Sequence, residues 1–445
     1  MADWIKINTR HELDQLLERA SREQWHELIL LGPEAQFWYI DRLDDVPIYH
    51  LGQVIDDLPQ RIATLSNLTS LYLGGNSIGD KGARALLNAW CNRPNADRLK
   101  HLNLTDNDLK TIPLPAEIIA SNDAQAILAA WRAVLASNEK GQLRPLNTAK
   151  LLVVGSEAVG KTSLVRYLTN NKVCNPHEKK TAGAEIHERI EISPWSRYEP
   201  GTRTNGLKRW LDRLRRKSQD VEEINVNIWD FGGQEIMHGT HRYFLTKRSL
   251  YLLVLEDRRE DNPPIYDWLH IIANRAGASP IIVIINKSDN GKEALLLPQE
   301  ALKRDHQSIV ALHRTSCNKG DWSRQHIEAL RVLIAKTIKE HPSLAEIRNP
   351  VPASWLWVKN EIAKKASAQQ VVYLNDFTLL CGRVPPTERA SDQDLQSEDE
   401  RRVLLRLLHD LGVIVAYGLN PGDLAVKREI VRGAHGAKRS ATSPA

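Results

Sequence analysis

Nine consecutive residues carry the clearest chemistry in this chain. Gly155, Ser156, Glu157, Ala158, Val159, Gly160, Lys161 and Thr162 read as G-x-x-x-x-G-K-[ST], and Ser163 follows. An apolar run over 149–154 precedes them, and a helical-looking stretch over 163–168 comes after, which is the context the motif needs. The glycines allow a tight turn, so several backbone N–H groups can converge on one anion. The N-terminus of the following helix adds about half a positive charge. Lys161 would then reach the outer phosphates of a nucleoside triphosphate, and the Thr162 hydroxyl would ligate Mg²⁺. A bare Gly-rich turn is the plain alternative, and the strand before and helix after argue against it.

Two further motifs follow in the order such a site requires. Asp230, Phe231, Gly232, Gly233, Gln234 and Glu235 come after alternating Ile224, Val226 and Ile228, and fit the D-x-x-G of Ras-like GTPases. Asp230 would hold Mg²⁺ through water, the Gly233 N–H would sense the γ-phosphate, and Gln234 would orient the attacking water. Asp-Phe-Gly also occurs in protein kinases, but no H-R-D-x-x-x-x-N loop or β3 lysine accompanies it here, so kinase activity is not expected. Asn286, Lys287, Ser288 and Asp289 form N-K-x-D after the apolar run 281–285. The Asp289 carboxylate can accept both the N1–H and the 2-amino group of guanine. Adenine would leave it unpaired, a mismatch that can discriminate roughly 10⁴-fold. Lys287 would lie along the base and Asn286 would brace the loop. Ser316 and Cys317, within Thr315 to Lys319, stand where a second base contact is expected. Thr181 precedes the second strand and is placed to ligate Mg²⁺ in the triphosphate state, with an ordinary loop threonine as the alternative.

Strands are expected at 150–154, 186–192, 224–229, 250–255, 281–285 and 309–312, with helices between them. That alternation implies an α/β, doubly wound, mostly parallel sheet with ligands at the strands' carboxyl ends. Between the second and third strands, Arg203, Lys208, Arg209, Arg213, Arg215, Arg216 and Lys217 surround Leu207, Trp210, Leu211 and Leu214, which reads as an amphipathic helix with a solvated basic face.

Upstream, Leu68, Leu71, Leu73 and Asn76 repeat as Leu99, Leu102, Leu104 and Asn107, both in the pattern L-x-x-L-x-L-x-x-N. This is the leucine-rich-repeat signature, with 80–90 as the helix between copies. Two copies are few for a solenoid, and 28–62 is expected to hold degenerate copies or a cap. Such a surface implies a protein partner. A helix at 123–137 and a linker at 138–147 lead to the phosphate loop. The length of 445 residues allows two to four domains. A net charge of +5 does not point to nucleic acid. The four cysteines, Cys91, Cys174, Cys317 and Cys381, lie far apart, which fits a reducing compartment. No apolar run can span a bilayer and the N-terminus lacks a signal core, so a cytoplasmic protein is expected.

The residues from Asp230 through Glu235, continuing over Met237 to Val254, together with 145–152, resemble the Roc domain of the Roco family. Segments 351–359 and 404–414 are similar to the COR domain that follows Roc in that family. The resemblance implies GTP binding, slow hydrolysis to GDP and COR-mediated homodimerisation coupled to the nucleotide state; Mg²⁺ dependence is read from Thr162 and Asp230, and Arg242 is a candidate for an added arginine. Glu157, where Ras-like proteins often carry glycine, is a departure. On this reading 1–62 is a cap or degenerate repeats, 63–120 leucine-rich repeats, 121–146 a helix and linker, 147–341 a Ras-like P-loop GTPase domain, 350–419 the N-terminal part of a mixed α+β COR domain, and 420–445 a disordered tail. A shortened COR and no kinase domain after it are expected. The rival readings are a GTP-binding scaffold with negligible hydrolysis, an enzyme-dead short form of a larger Roco protein, and an ATPase of the same phosphate-loop class.

Overall fold

The computed structural model describes residues 5–32, 48–51, 58–62, 65, 67–93, 96–109, 112–170, 184–191, 224–231, 245–246, 248–257, 265–288, 295–366, 371–416 and 429–431. They group into two compact units, one of 1–146, 349–362 and 375–407, the other of 147–348, 363–374 and 408–445.

The first unit is built on a parallel sheet of β1 (Ile5–Ile7), β2 (Glu27–Leu31), β3 (Ile48–Leu51), β4 (Ser70–Tyr72) and β5 (His101–Asn103), in the order β1-β3-β2-β4-β5. β2, β4 and β5 step sideways as repeats do. Leu28, Leu71 and Leu102 stand in one register row, each buried. The repeat asparagines reach back one copy: Asn76 Nδ2 donates to Leu30 O at 2.7 Å, and Asn107 Nδ2 to Leu73 O at 2.8 Å. This ladder makes Leu28 to Gly32 a third copy. A Cβ at Gly32 would lie 1.9 Å from Gly75 O, so only glycine fits between the copies. β3 departs from stepwise order: it lies between the edge strand β1 and β2 instead of between β2 and β4. The helix Arg10–Arg22 opens with a capping box from Thr9 and Glu12. Helices Asp80–Cys91 and Ala124–Glu139 pack on one another, the second capped by Asp123. Part of the expected linker is ordered: β6 (Leu143–Pro145) pairs antiparallel with Pro350–Pro352.

The second unit carries a six-stranded sheet of β7 (Thr148–Val154), β8 (Ala184–Glu191), β9 (Asn225–Phe231), β10 (Ser249–Glu256), β11 (Ile281–Asn286) and β12 (Ile309–Arg314). All six expected strands are present. Their order is β12-β11-β10-β7-β9-β8, parallel except for β8. Central strands read as continuous apolar runs because both faces are covered. Odd-numbered Leu151 and Val153 face one core with the helices Lys161–Asn170 and Asp321–Glu340. Even-numbered Leu152 and Val154 face another with the helix Ile265–Ala276. Each fully buried aliphatic side chain contributes roughly 1.5–3 kcal/mol, so the two cores fix the sheet. Chain order reverses between β7 and β10, and their carboxyl ends open the crevice where α/β folds bind ligands. Glu429–Val431, inside the segment expected to be a disordered tail, instead forms a strand between Val371–Tyr373 and Val415–Ala416. Its Ile-Val pair suits a sheet. Among the described residues, no helix is long and apolar enough to cross a membrane.

Candidate nucleotide site

Gly155 leaves β7 at φ +141°, and a Cβ there would stand 2.2 Å from Val254 O of β10. Glycine lets the loop cross the switch point in contact with the neighbouring strand. Gly160 has φ +89°, and a Cβ would meet Asn286 Nδ2 at 2.5 Å. Between them Ala158 adopts φ +64°. A non-glycine residue there costs on the order of 1 kcal/mol, a strain typical of binding loops. The helix Lys161–Asn170 then starts under the loop, as the motif requires.

Lys161 is buried, and its ammonium donates to Gly155 O at 3.0 Å and Ser156 O at 2.8 Å. Burial lowers its pKa to about 8, while the charges of Asp230 and Glu157 oppose the shift. Glu157, where Ras-like proteins often carry glycine, therefore favours the charged form of Lys161. Thr162 Oγ1 donates to Asp230 Oδ2 at 2.5 Å, and Asp230 is fully buried at the end of β9. The phosphate loop and the D-x-x-G aspartate thus meet in one all-oxygen pair, one member anionic. That donor set fits a hard cation such as Mg²⁺, which is commonly held by one or two protein oxygens plus phosphates and water.

The turns after β11 and β12 lie beside it. Asn286 Nδ2 donates to Val159 O at 2.9 Å, tying the N-K-x-D turn to the phosphate loop. Cys317 Sγ lies 3.7 Å from Asn286 Oδ1. Ser288 N donates to Thr315 O at 3.0 Å, and Thr315 N to Ile285 O at 2.9 Å, so the turns after β11 and β12 are stitched together. Ser316 is buried and accepts from Asn318 N. Lys287 has φ +64° and pairs with Glu256 at 3.1 Å. The structure also shows a polar hub that no local motif signalled. Asp257, just past β10, accepts from Ser288 Oγ at 2.5 Å, from Leu295 N at 2.8 Å and from Arg314 Nη1 at 2.7 Å. Thr181, Gly233, Gln234, Arg242, Asp289 and the basic segment 203–217 lie outside the described residues.

A second support acts from the opposite face of β9. Side chains alternate along a strand, so Asn227 and Trp229 point away from Asp230. Asn227 Nδ2 donates to Leu411 O at 2.9 Å and Trp229 Nε1 to Gly412 O at 3.0 Å. Lys150 is buried beside them, its ammonium 5.2 Å from the Trp229 ring centroid.

A glycine loop at the sheet's switch point, an aspartate meeting its threonine and an asparagine bracing it from the turn after β11 define a Ras-like P-loop domain. Comparison with known proteins agrees. Residues 198–289 match the family model described as Ras of Complex, Roc, domain of DAPkinase, and 64–87 match a leucine-rich repeat. The probable serine/threonine-protein kinase pats1 of Dictyostelium discoideum is 29% identical over 290 residues, 61% of this chain and 8% of that protein. A Roc-COR-CHAT protease from an unknown prokaryotic organism is 26% identical over 371 residues, 80% of this chain and 30% of that protein. A solved structure of Methanosarcina barkeri Roco2 RocCORdC bound to GDP is 28% identical, covers 65% of this chain and 73% of that one, and has a TM-score of 0.46. The chain thus spans under a third of the length of these two curated relatives. The matches place a leucine-rich repeat ahead of a Roc domain, a domain of the Ras-like GTPase class, and over these stretches the chain is similar to Roco and Roc-COR proteins.

Proposed function

We propose that this protein is a Mg²⁺-dependent switch that binds GTP and hydrolyses it to GDP and phosphate. The observation that carries the reading is the triple junction of loop, D-x-x-G strand and N-K-x-D turn. Thr162 meets Asp230, and Asn286 holds Val159 O. A site for a phosphate chain and a site for a base are braced against each other by direct bonds.

On this reading the amides of 155–163 and Lys161 bind the phosphates. When bound, Mg²⁺ supplies charge neutralisation on the β- and γ-phosphates. Thr162, Asp230 and Thr181 are the residues that would hold it. Gly233 senses the γ-phosphate and Gln234 positions the attacking water, so the protein's part is positioning and charge stabilisation. Lys161 keeps its proton at Nζ and exchanges the Gly155 and Ser156 carbonyls for phosphate oxygens. Asn286, Lys287, Asp289, Ser316 and Cys317 form the guanine pocket. The domain division is 63–120 for the repeats, 147–341 for Roc and 350–419 for COR. The repeats recruit a protein partner, COR supports a homodimer, and the setting is cytoplasmic.

Two substitutions test this. Asp289→Asn should shift preference from guanine to xanthine nucleotides, because the amide presents a donor to xanthine's 2-oxo group. Gln234→Ala should slow single-turnover hydrolysis of GTP without weakening its binding. ADP competing for the site as well as GDP does would refute the base assignment. A wild-type protein that binds GTP but never cleaves it would be a scaffold, not an enzyme.

A further inference from the structure

We infer that Asp257 is a positioning residue for base recognition, clamped by Arg314, and that it sets how sharply the site selects guanine. The inference rests on the guanine reading above and adds residues to it.

The clamp joins three segments distant in sequence. Asp257 extends β10 by one ladder bond, its N–H donating to Asn286 O at 2.8 Å. Its side chain is fully enclosed. One carboxylate oxygen takes the Ser288 hydroxyl and Arg314 Nη1, at 2.5 and 2.7 Å, and the other takes Leu295 N at 2.8 Å. Arg314 Nη2 donates to Leu295 O at 2.6 Å. Ser288 and Leu295 flank the short stretch that bears Asp289, so one carboxylate grips the chain on both sides of it. Arg314 immediately precedes Thr315 and Ser316, so its guanidinium holds the second base loop to the same anchor.

Physical chemistry explains why such an anchor would matter. A hydrogen bond to a charged group contributes roughly twice as much as a neutral one and has a narrower geometry. Reading the N1–H and the 2-amino group of guanine together needs a carboxylate held in place, and a small displacement forfeits the second bond. A buried carboxylate with three donors and a paired arginine is held rigidly, because removing any donor leaves an enclosed charge under-solvated. The bonds described for the clamp end on the turns after β11 and β12 and on the chain at Leu295, so its influence should fall on the base.

The readout is the ratio of IDP to GDP dissociation constants, measured on the full chain by titration of a fluorescent nucleotide. Inosine lacks only the 2-amino group, so this ratio reports the bond that distinguishes the two bases. Wild type should favour GDP roughly tenfold or more, the weight of one bond to a charged acceptor. Asp257→Ala should bring the ratio to about threefold or less, with GDP affinity falling far more than IDP affinity. Ser288→Ala, which removes one hydroxyl and should leave the fold intact if Asp257→Ala does not, should lower the ratio about twofold to fivefold. Equal losses for GDP and IDP in both variants, leaving the ratio as in wild type, would show a merely structural role and overturn the inference. If wild type itself does not prefer GDP to ADP, the guanine reading fails first, and the clamp with it.

Discussion

Replacing Arg331 tests whether the phosphate-loop helix is held from its far end. Arg331 lies on the helix Asp321–Glu340 and is 6% exposed. It donates Nε to Leu168 O at 3.0 Å, Nη2 to Leu168 O at 2.8 Å and Nη2 to Tyr167 O at 2.7 Å, and Nη1 pairs with Glu328. Tyr167 and Leu168 are among the last four residues of Lys161–Asn170, whose carbonyls have no partner within the helix. Arg331→Met keeps the stem's bulk and removes every donor. Two carbonyls are then left buried at about 1–3 kcal/mol each, and a cation is lost from the negative end of the helix dipole, worth a further few tenths to about 1 kcal/mol. Relief of the arginine's own burial offsets part of this, so the net loss should be about 2–4 kcal/mol. For a unit of this size that lowers Tm by about 5–15 °C. The assay is thermal unfolding of nucleotide-free protein followed by circular dichroism. Glu328→Gln is the control: its partly exposed pair should contribute under about 1 kcal/mol. An Arg331→Met protein melting within about 2 °C of wild type would refute the reasoning, since it would mean that the two carbonyls find other donors at no cost.

Other perturbations follow from the same geometry. Gly412→Ala should cost about 2–4 kcal/mol in urea unfolding, because φ is +65° and the new Cβ would lie 2.3 Å from Trp229 Nε1; tryptophan fluorescence should report the loss of the Trp229 contact. Burial raises the Glu400 carboxyl to about 7, against opposing hydrogen bonds from Trp355 and Leu395, with the Asp394 charge adding to the shift and Arg401 opposing it. Its proton is then held by the folded form alone between about 4.5 and 7, so stability is full at the acid end and falls by about 3 kcal/mol as pH rises through that window. Glu400→Gln should flatten this dependence, and a wild-type protein whose urea midpoint rises over the same window would contradict the sign. Asn286→Ala leaves Val159 O without its 2.9 Å donor and should weaken GDP binding about tenfold to a hundredfold by titration.

The features legible in the sequence are those written in contiguous residues. The phosphate loop declares itself because its glycines, lysine and threonine act within eight positions. The six strands of the second unit declare themselves because buried parallel strands are apolar throughout. The repeat asparagines mark the turn that Asn76 and Asn107 close, although the third copy at Leu28 lacks the asparagine and needed the ladder bond to Leu30 O to be seen. Hidden features depend on partners far apart in the chain. Arg331 and Leu168 are separated by 163 positions, and Arg314 and Asp257 by 57. Neither pair leaves a period or a motif. Strand order was hidden for the same reason: the residues of β1 say strand, but nothing local says that β3 will come between β1 and β2. Ala158 shows the opposite failure. Its position in the motif was plain, yet alanine gives no hint of a left-handed backbone, which the surrounding loop imposes.

The strand β9 joins these two kinds of information. Its alternation was readable, and it divides the strand into a face that ends at Asp230 and a face that presents Asn227 and Trp229. Only the structure shows that the second face is occupied, by the carbonyls of Leu411 and Gly412. Asp230 is separated from Trp229 by one peptide bond, so the backbone that carries the carboxylate toward Thr162 is the backbone those two side chains anchor. A displacement of Leu411 and Gly412 along the strand would therefore be opposed by two buried hydrogen bonds on one face and by the Thr162 bond on the other. Breaking either anchor costs about 1–3 kcal/mol, comparable to the free energies that couple distant sites in switching proteins. Leu411 and Gly412, just after Glu398–Asp410, are thus tied to the position of Asp230 by covalent geometry and two side chains.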